Sequence, residues 1–100
     1  MKEIDAKGLK AWLAEGKTML LLDVREPNEL RSPPGRIEGV INIPLGQLLA
    51  RLPEIATWKD KTVISICRSG ARAVSAGRAL EAGGFRDVVL LSGGMMMYNR

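Results

Sequence analysis

Four short apolar runs, bounded by charged residues, glycine or proline, divide the chain. They span Met19–Val24, Val40–Asn42, Thr62–Ile66 and Val88–Leu91. The apolar residues within them are largely consecutive rather than alternating, which is typical of parallel strands buried on both faces. We expect these runs to be strands of one sheet, with a fifth strand near Glu3–Ile4 at its edge.

Segments with apolar or small residues at helical spacing separate the runs. The predicted helices span Ala6–Ala14, Leu45–Leu52, Ala73–Ala82 and Met95–Tyr98. Asp5 is the expected N-cap of the first helix, and Pro53–Lys61 is expected to be a surface connection. Strands that alternate with helices predict an α/β fold, with a mainly parallel sheet and helices on both faces.

Composition limits the classes of protein that the chain can represent. Its 100 residues suffice for a single domain over residues 1–100, and a 46% hydrophobic fraction indicates a globular protein. The net charge of +4 comes from scattered basic residues without a nucleic-acid-binding motif, so we expect no nucleic-acid partner. No apolar run is long enough to span a membrane, and the charged N-terminus does not resemble a signal peptide. We therefore expect a cytoplasmic protein that does not bind a membrane.

The cysteine and histidine content narrows the chemistry further. One cysteine and no histidine exclude an internal disulfide, a Cys–His dyad, a Ser–His–Asp triad and a histidine-ligated metal. A single cysteine also cannot build a thiolate zinc site. We expect no metal, no cofactor and a reducing compartment.

The cysteine opens the segment Cys67-Arg68-Ser69-Gly70-Ala71-Arg72, between a predicted strand and a predicted helix. This order places the segment at the carboxyl edge of the sheet, where a helix N-terminus offers unpaired N–H groups. Those groups, with Arg68 and Arg72, would stabilise a thiolate on Cys67 and make it a nucleophile. A lone cysteine after a strand is more often an inert core residue. Two arginines, a serine and a glycine, however, are unsuited to filling a core and suited to holding an anion.

A second charged segment, Asp23-Val24-Arg25-Glu26, leaves the strand that is expected near the cysteine strand. We expect Asp23 to fix a loop by hydrogen bonds rather than to take part in chemistry. Arg25 is expected to emerge at the same edge of the sheet, where the active sites of open α/β sheets lie. For Glu26 and Glu29 we expect a short, solvated helical turn.

Four segments together resemble the rhodanese family of sulfurtransferases, over essentially the whole chain. They are Asp23-Val24-Arg25-Glu26, the stretch from Gly35 to Pro44, the loop from Cys67 to Arg72, and Leu91-Ser92-Gly93-Gly94. Each segment alone is weak evidence, whereas four in the right order and spacing are strong. The resemblance implies a five-stranded, mainly parallel sheet.

The resemblance also implies a function. Cys67 would accept a sulfur atom as a persulfide, and Arg68, Ser69, Gly70, Ala71 and Arg72 would form the loop that binds the substrate. Asp23 would be a structural residue, with Arg25 in a supporting role. The implied partners are a small anionic sulfur donor such as thiosulfate, and an acceptor that is cyanide or a thiol, a protein thiol included.

Two other functions compete with sulfur transfer. Phosphatases and arsenate reductases of related folds use a cysteine loop that ends in arginine, but their loops hold one residue more than the four between Cys67 and Arg72. A shorter loop favours a single sulfur atom over a tetrahedral oxyanion. Non-catalytic rhodanese-like modules bind partners or regulate, and they usually lack the cysteine that is present here.

Overall fold

The computed structural model describes all residues from Met1 to Arg100 and contains one five-stranded sheet. The strands are β1 (Lys2–Ile4), β2 (Met19–Asp23), β3 (Ile41–Asn42), β4 (Thr62–Ile66) and β5 (Asp87–Leu91). They lie in the order β1-β5-β4-β2-β3, and every neighbouring pair is parallel. The predicted five-stranded sheet is confirmed, and the sheet is parallel throughout.

Four helices cover the two faces of the sheet: α1 (Ala6–Ala14), α2 (Leu48–Arg51), α3 (Ala71–Ala82) and α4 (Gly94–Tyr98). Alternate residues of β2 point to opposite faces, as the period of a strand requires. Leu22 packs in the core that contains residues of α2 and α3, and Leu21 packs in the core that contains residues of α1 and α4. Helices on both faces are therefore confirmed. None of the four helices combines the length and the apolarity that crossing a bilayer requires.

The segment after β3 differs from its prediction. In place of one helix over Leu45–Leu52, a 3-10 turn at Leu45–Gln47, the short α2 and a second 3-10 segment at Leu52–Trp58 follow one another. Pro53 contributes to the early end of α2, because it has no N–H to donate to the carbonyl of Leu49 four residues before it. The changed geometry leaves Leu49 72% exposed, although the leucine pattern predicts it in the core.

The parallel sheet brings the carboxyl ends of its strands to one edge. At this edge β4 leads into Cys67, β2 leads into the segment from Asp23 to Arg25, and β5 leads into Ser92-Gly93-Gly94. Three of the segments singled out in the sequence thus leave the sheet on the same side.

Candidate active site

The sulfur of Cys67 lies in a cradle of backbone N–H groups at the start of α3. Its Sγ accepts hydrogen bonds from the N–H of Gly70 at 3.0 Å and from that of Ala73 at 3.3 Å. The loop can turn back on the sulfur because Gly70 adopts φ +124°, a backbone conformation that residues with a side chain rarely adopt. Two N–H groups at a helix N-terminus stabilise negative charge on the sulfur, so the geometry suits a thiolate.

The base of the loop is held by the first turn of α4. The N–H of Met95 donates to the carbonyl of Cys67 at 2.9 Å, and the N–H of Met96 donates to the carbonyl of Arg68 at 3.0 Å. Gly94 has φ +58°, and a Cβ there would overlap both of these carbonyl oxygens. The sequence analysis included the Gly93-Gly94 pair among the segments that resemble the family but did not find this contact with the cysteine loop. The available signal was a pair of glycines after a strand at the edge that carries Cys67.

We expect Gly94→Ala to lower both stability and any Cys67-dependent activity. The new methyl group would force the loop carbonyls away from α4, and the positive φ adds strain, so a loss of about 2–4 kcal/mol in unfolding free energy is expected. Gly46→Ala is the matched control, since Gly46 has a negative φ and nothing within 4 Å of the added Cβ. Urea unfolding of both variants measures the difference. Equal stability of the two would contradict the contact.

Asp23 and Arg25 form a buried ion pair at the end of β2. Arg25 Nε lies 2.9 Å from Asp23 Oδ1 and its Nη2 lies 2.7 Å from Oδ2, while the backbone N–H of Arg25 also donates to Oδ1 at 3.1 Å. The two residues are 0% and 1% exposed. Arg25 lies at the predicted edge of the sheet, but its guanidinium turns back onto Asp23 and donates to the carbonyl of Gly35 at 2.9 Å, so the side chain is buried. This arrangement supports the structural roles proposed for both residues.

Asn42 is a supporting residue that the sequence analysis missed. Its side-chain amide donates to the carbonyls of Asp23 and Arg25, at 2.9 Å each, and so joins β3 to the segment after β2. The one signal was a polar residue inside the apolar run from Val40 to Ile43.

Arg72, at the start of α3, forms a bidentate ion pair with Glu29. Its Nη1 and Nη2 lie 2.7 Å and 2.9 Å from the two carboxylate oxygens. The hydrogen bonds from Arg72 lower the pKa of Glu29 to about 2, so this carboxylate is charged at neutral pH. Glu29 does lie in a helical turn, Pro27–Arg31, but the expectation that it is merely solvated is wrong. Pairing across 43 positions of sequence left no local signal.

The remaining loop residues present side chains or backbone to solvent. Arg68, Ser69 and Ala71 are exposed, and Gly70 is half-buried. The ion pairs of the chain do not involve Arg68. The role of these residues and of Arg72 in binding a substrate stays a prediction.

A shallow cavity of about 320 Å³ lies at the same edge of the sheet but does not include the cysteine loop. Its lining residues are Asp5, Ala6, Lys7, Ser92, Gly93 and Met97. The lining contains no thiol, and the chain contains no group of three or more acidic, cysteine or histidine side chains able to hold a metal ion. We therefore assign the candidate site to the Cys67 loop on its chemistry rather than to this cavity.

Comparison with known proteins identifies the family. Residues 5–100 match the Rhodanese-like domain. The chain belongs to the rhodanese-like family. It is 35% identical over 100 residues to a protein of Allochromatium vinosum named "Sulfurtransferase", with 100% of this chain and 90% of that one covered.

Solved structures of relatives have the same fold. A rhodanese-like domain protein from Staphylococcus aureus is 30% identical with a TM-score of 0.80, covering 98% of this chain and 91% of that one. The reduced CoADR-RHD of Bacillus anthracis is 36% identical with a TM-score of 0.83. This rhodanese-like chain covers only 16% of that protein, so the same unit also occurs within a much longer chain.

Proposed function

We propose that this rhodanese-like protein is a sulfurtransferase that carries the transferred sulfur on Cys67 as a persulfide. The observation that carries the proposal is the position of the Cys67 sulfur, which accepts hydrogen bonds from the backbone N–H groups of Gly70 and Ala73. The name of the Allochromatium vinosum relative supports sulfur transfer as the general reaction class. Thiosulfate as donor and cyanide or a thiol as acceptor are the finer parts of the proposal.

In the first half-reaction the Cys67 thiolate attacks the outer sulfur of the donor. With thiosulfate, a bond forms between Sγ and that sulfur, the S–S bond of thiosulfate breaks, and its electron pair leaves with sulfite. The product is a Cys67 persulfide anion. The thiolate form attacks and sulfite is a stable leaving group, so the step needs no general acid to protonate the departing group. A step that needs no acid–base residue is compatible with a chain that contains no histidine.

In the second half-reaction a nucleophilic acceptor removes the outer sulfur. Cyanide or a thiolate bonds to it, the persulfide bond breaks, and the electron pair returns to Cys67 as a thiolate. The products are thiocyanate or a new persulfide on the acceptor. A protein thiol can act in the same way where the loop is accessible.

The residues from Arg68 to Arg72 supply the binding site in this proposal. Backbone N–H groups of the loop hold the sulfur atoms, and the exposed side chain of Arg68 attracts an anionic donor. Such attraction acts over a Debye length of about 10 Å at 0.1 M salt, so donor use should weaken as ionic strength rises.

Phosphate-ester chemistry has less support. Phosphoryl transfer depends on cationic groups that stabilise charge on the phosphate oxygens, whereas the guanidinium of Arg72 is bonded on both Nη atoms to Glu29. The loop from Cys67 to Arg72 also contains no carboxylic acid to protonate a leaving alkoxide.

The intact mass of the protein after incubation with thiosulfate tests the proposal. We expect a gain of roughly 32 Da, one sulfur atom, that cyanide or a small thiol removes. No gain together with cleavage of an aryl phosphate would favour the phosphatase function. Neither activity in a folded protein would favour a non-catalytic binding module.

A further inference from the structure

The charges beside the cysteine loop are largely compensated. Asp23 balances Arg25 in the buried pair, and Glu29 balances Arg72 in the pair at the start of α3. Of the two arginines that the loop contributes, only Arg68 lacks an acidic partner. The loop therefore offers an incoming anion less positive charge than its sequence indicates.

Arg72 directly precedes Ala73, whose backbone N–H donates to the Cys67 sulfur at 3.3 Å, so Arg72 belongs to the turn of α3 that holds the sulfur. Its pKa is raised by the hydrogen bonds to Glu29 first, and also by the negative charges of Glu29, Cys67 and Asp23. The positive charge of Arg72 that interacts with the thiolate also attracts an anionic donor that approaches the thiolate. The carboxylate of Glu29 opposes this attraction directly.

We propose that Glu29 is a specificity-determining residue, which disfavours doubly charged sulfur donors by neutralising Arg72. The inference rests on the proposed sulfurtransferase function for its meaning in catalysis. The donor class that it favours carries the sulfane sulfur on a single negative charge, as an alkyl persulfide or a thiosulfonate does. A dianion such as thiosulfate feels the loss of one cationic charge twice as strongly as a monoanion does.

Glu29→Gln tests the proposal with little change in shape. The amide oxygen of glutamine can still accept a hydrogen bond from Arg72, so the variant removes the negative charge while leaving a partner for the guanidinium. Thiosulfate and methanethiosulfonate are the matched donors, because each gives a Cys67 persulfide, with sulfite or methanesulfinate as leaving group. We expect the ratio of kcat/KM for thiosulfate to that for methanethiosulfonate to rise about threefold in the variant, and the rise to vanish at high salt.

Alkylation of Cys67 provides a second readout that does not depend on sulfur transfer. Cys67 is the single thiol of the chain, so the alkylation rate reports on this residue alone. Iodoacetate and iodoacetamide form the same bond to sulfur with loss of iodide, and they differ by one negative charge. We expect Glu29→Gln to raise the iodoacetate-to-iodoacetamide rate ratio about threefold.

Two further variants separate charge at the loop from charge in general. Glu54→Gln is the matched control, because Glu54 forms a similar bidentate pair with Arg51 at 2.9 Å and 3.0 Å, away from the loop. This variant changes the net charge equally and should alter neither ratio. Glu29→Gln combined with Arg72→Gln should return both ratios close to those of the parent protein, since the uncovered cation is then removed.

Each outcome decides the proposal. A change confined to Glu29→Gln and reversed by Arg72→Gln supports it, with thermal melting used to verify that the variants are folded. Equal effects on both donors and on both alkylating agents overturn it and leave Glu29 a structural residue. If the parent transfers sulfur from neither donor, the sulfurtransferase function fails, and the alkylation ratio still decides the electrostatic role of Glu29.

Discussion

Cys67→Ser is expected to lose sulfur transfer completely, with no gain of mass from thiosulfate and no detectable turnover. A serine hydroxyl is not ionised near neutral pH and is a far weaker nucleophile toward sulfur than a thiolate. No other residue can replace Cys67, because the chain contains a single cysteine. Intact-mass measurement and a thiocyanate assay on parent and variant determine both losses.

The fold of this variant should be retained. Serine is close to cysteine in size, and its oxygen can accept hydrogen bonds from the Gly70 and Ala73 N–H groups in place of sulfur. We expect a melting temperature within a few degrees of the parent, corresponding to about 1 kcal/mol or less. A folded Cys67→Ser protein that still forms thiocyanate would refute the persulfide mechanism.

Asp23→Ala is expected to cause the largest loss of stability, about 3–5 kcal/mol of unfolding free energy. The substitution leaves the guanidinium of Arg25 buried without its carboxylate, and Arg25 is only 1% exposed. A loss of this size is a large part of the total stability of a domain, which is about 5–15 kcal/mol. Denaturant unfolding monitored by circular dichroism measures it.

Two controls separate burial from charge. Asp60→Ala removes the carboxylate of an exposed ion pair with Arg86, and its effect should stay below about 1 kcal/mol. Asp23→Ala combined with Arg25→Met removes the buried charge together with its partner, and should recover part of the loss. If the Asp23→Ala variant were as stable as the parent protein but had lost turnover, Asp23 would have a catalytic role in place of the structural one.

The fold was most predictable where local pattern and tertiary packing agree. Strand β4 matches its predicted bounds, Thr62–Ile66, because a continuous apolar run suits a central parallel strand. Helix α1 matches its predicted bounds, Ala6–Ala14, because the Asp5 carboxylate accepts the N–H of Gly8 at 2.7 Å as an N-cap. The leucine-rich segment from Leu45 was predicted wrongly, since the spacing of apolar residues does not distinguish one continuous α-helix from consecutive short 3-10 and α-helical segments.

The part of the candidate site that is built from consecutive residues was predictable from the sequence. A strand, a cysteine, a glycine-containing loop and a helix are consecutive, so the cradle around Cys67 depends on neighbours in sequence. The contacts of Glu29 with Arg72, and of α4 with the cysteine loop, join residues that are far apart in sequence. The direction of a side chain could not be predicted from the sequence either: the side chain of Arg25 turns into the protein instead of toward solvent.

The strand order also determines when the site can be completed during synthesis. β5 is translated last of the five strands, yet it lies between β1 and β4. A nascent chain that ends before β5 can pair β2 with β4 but leaves β1 without a neighbouring strand, and it lacks the α4 N–H groups that hold the Cys67 loop. The thiol therefore acquires its complete surroundings only after β5 has joined the sheet and α4 has formed, and a product that terminates before β5 would carry an incompletely supported cysteine.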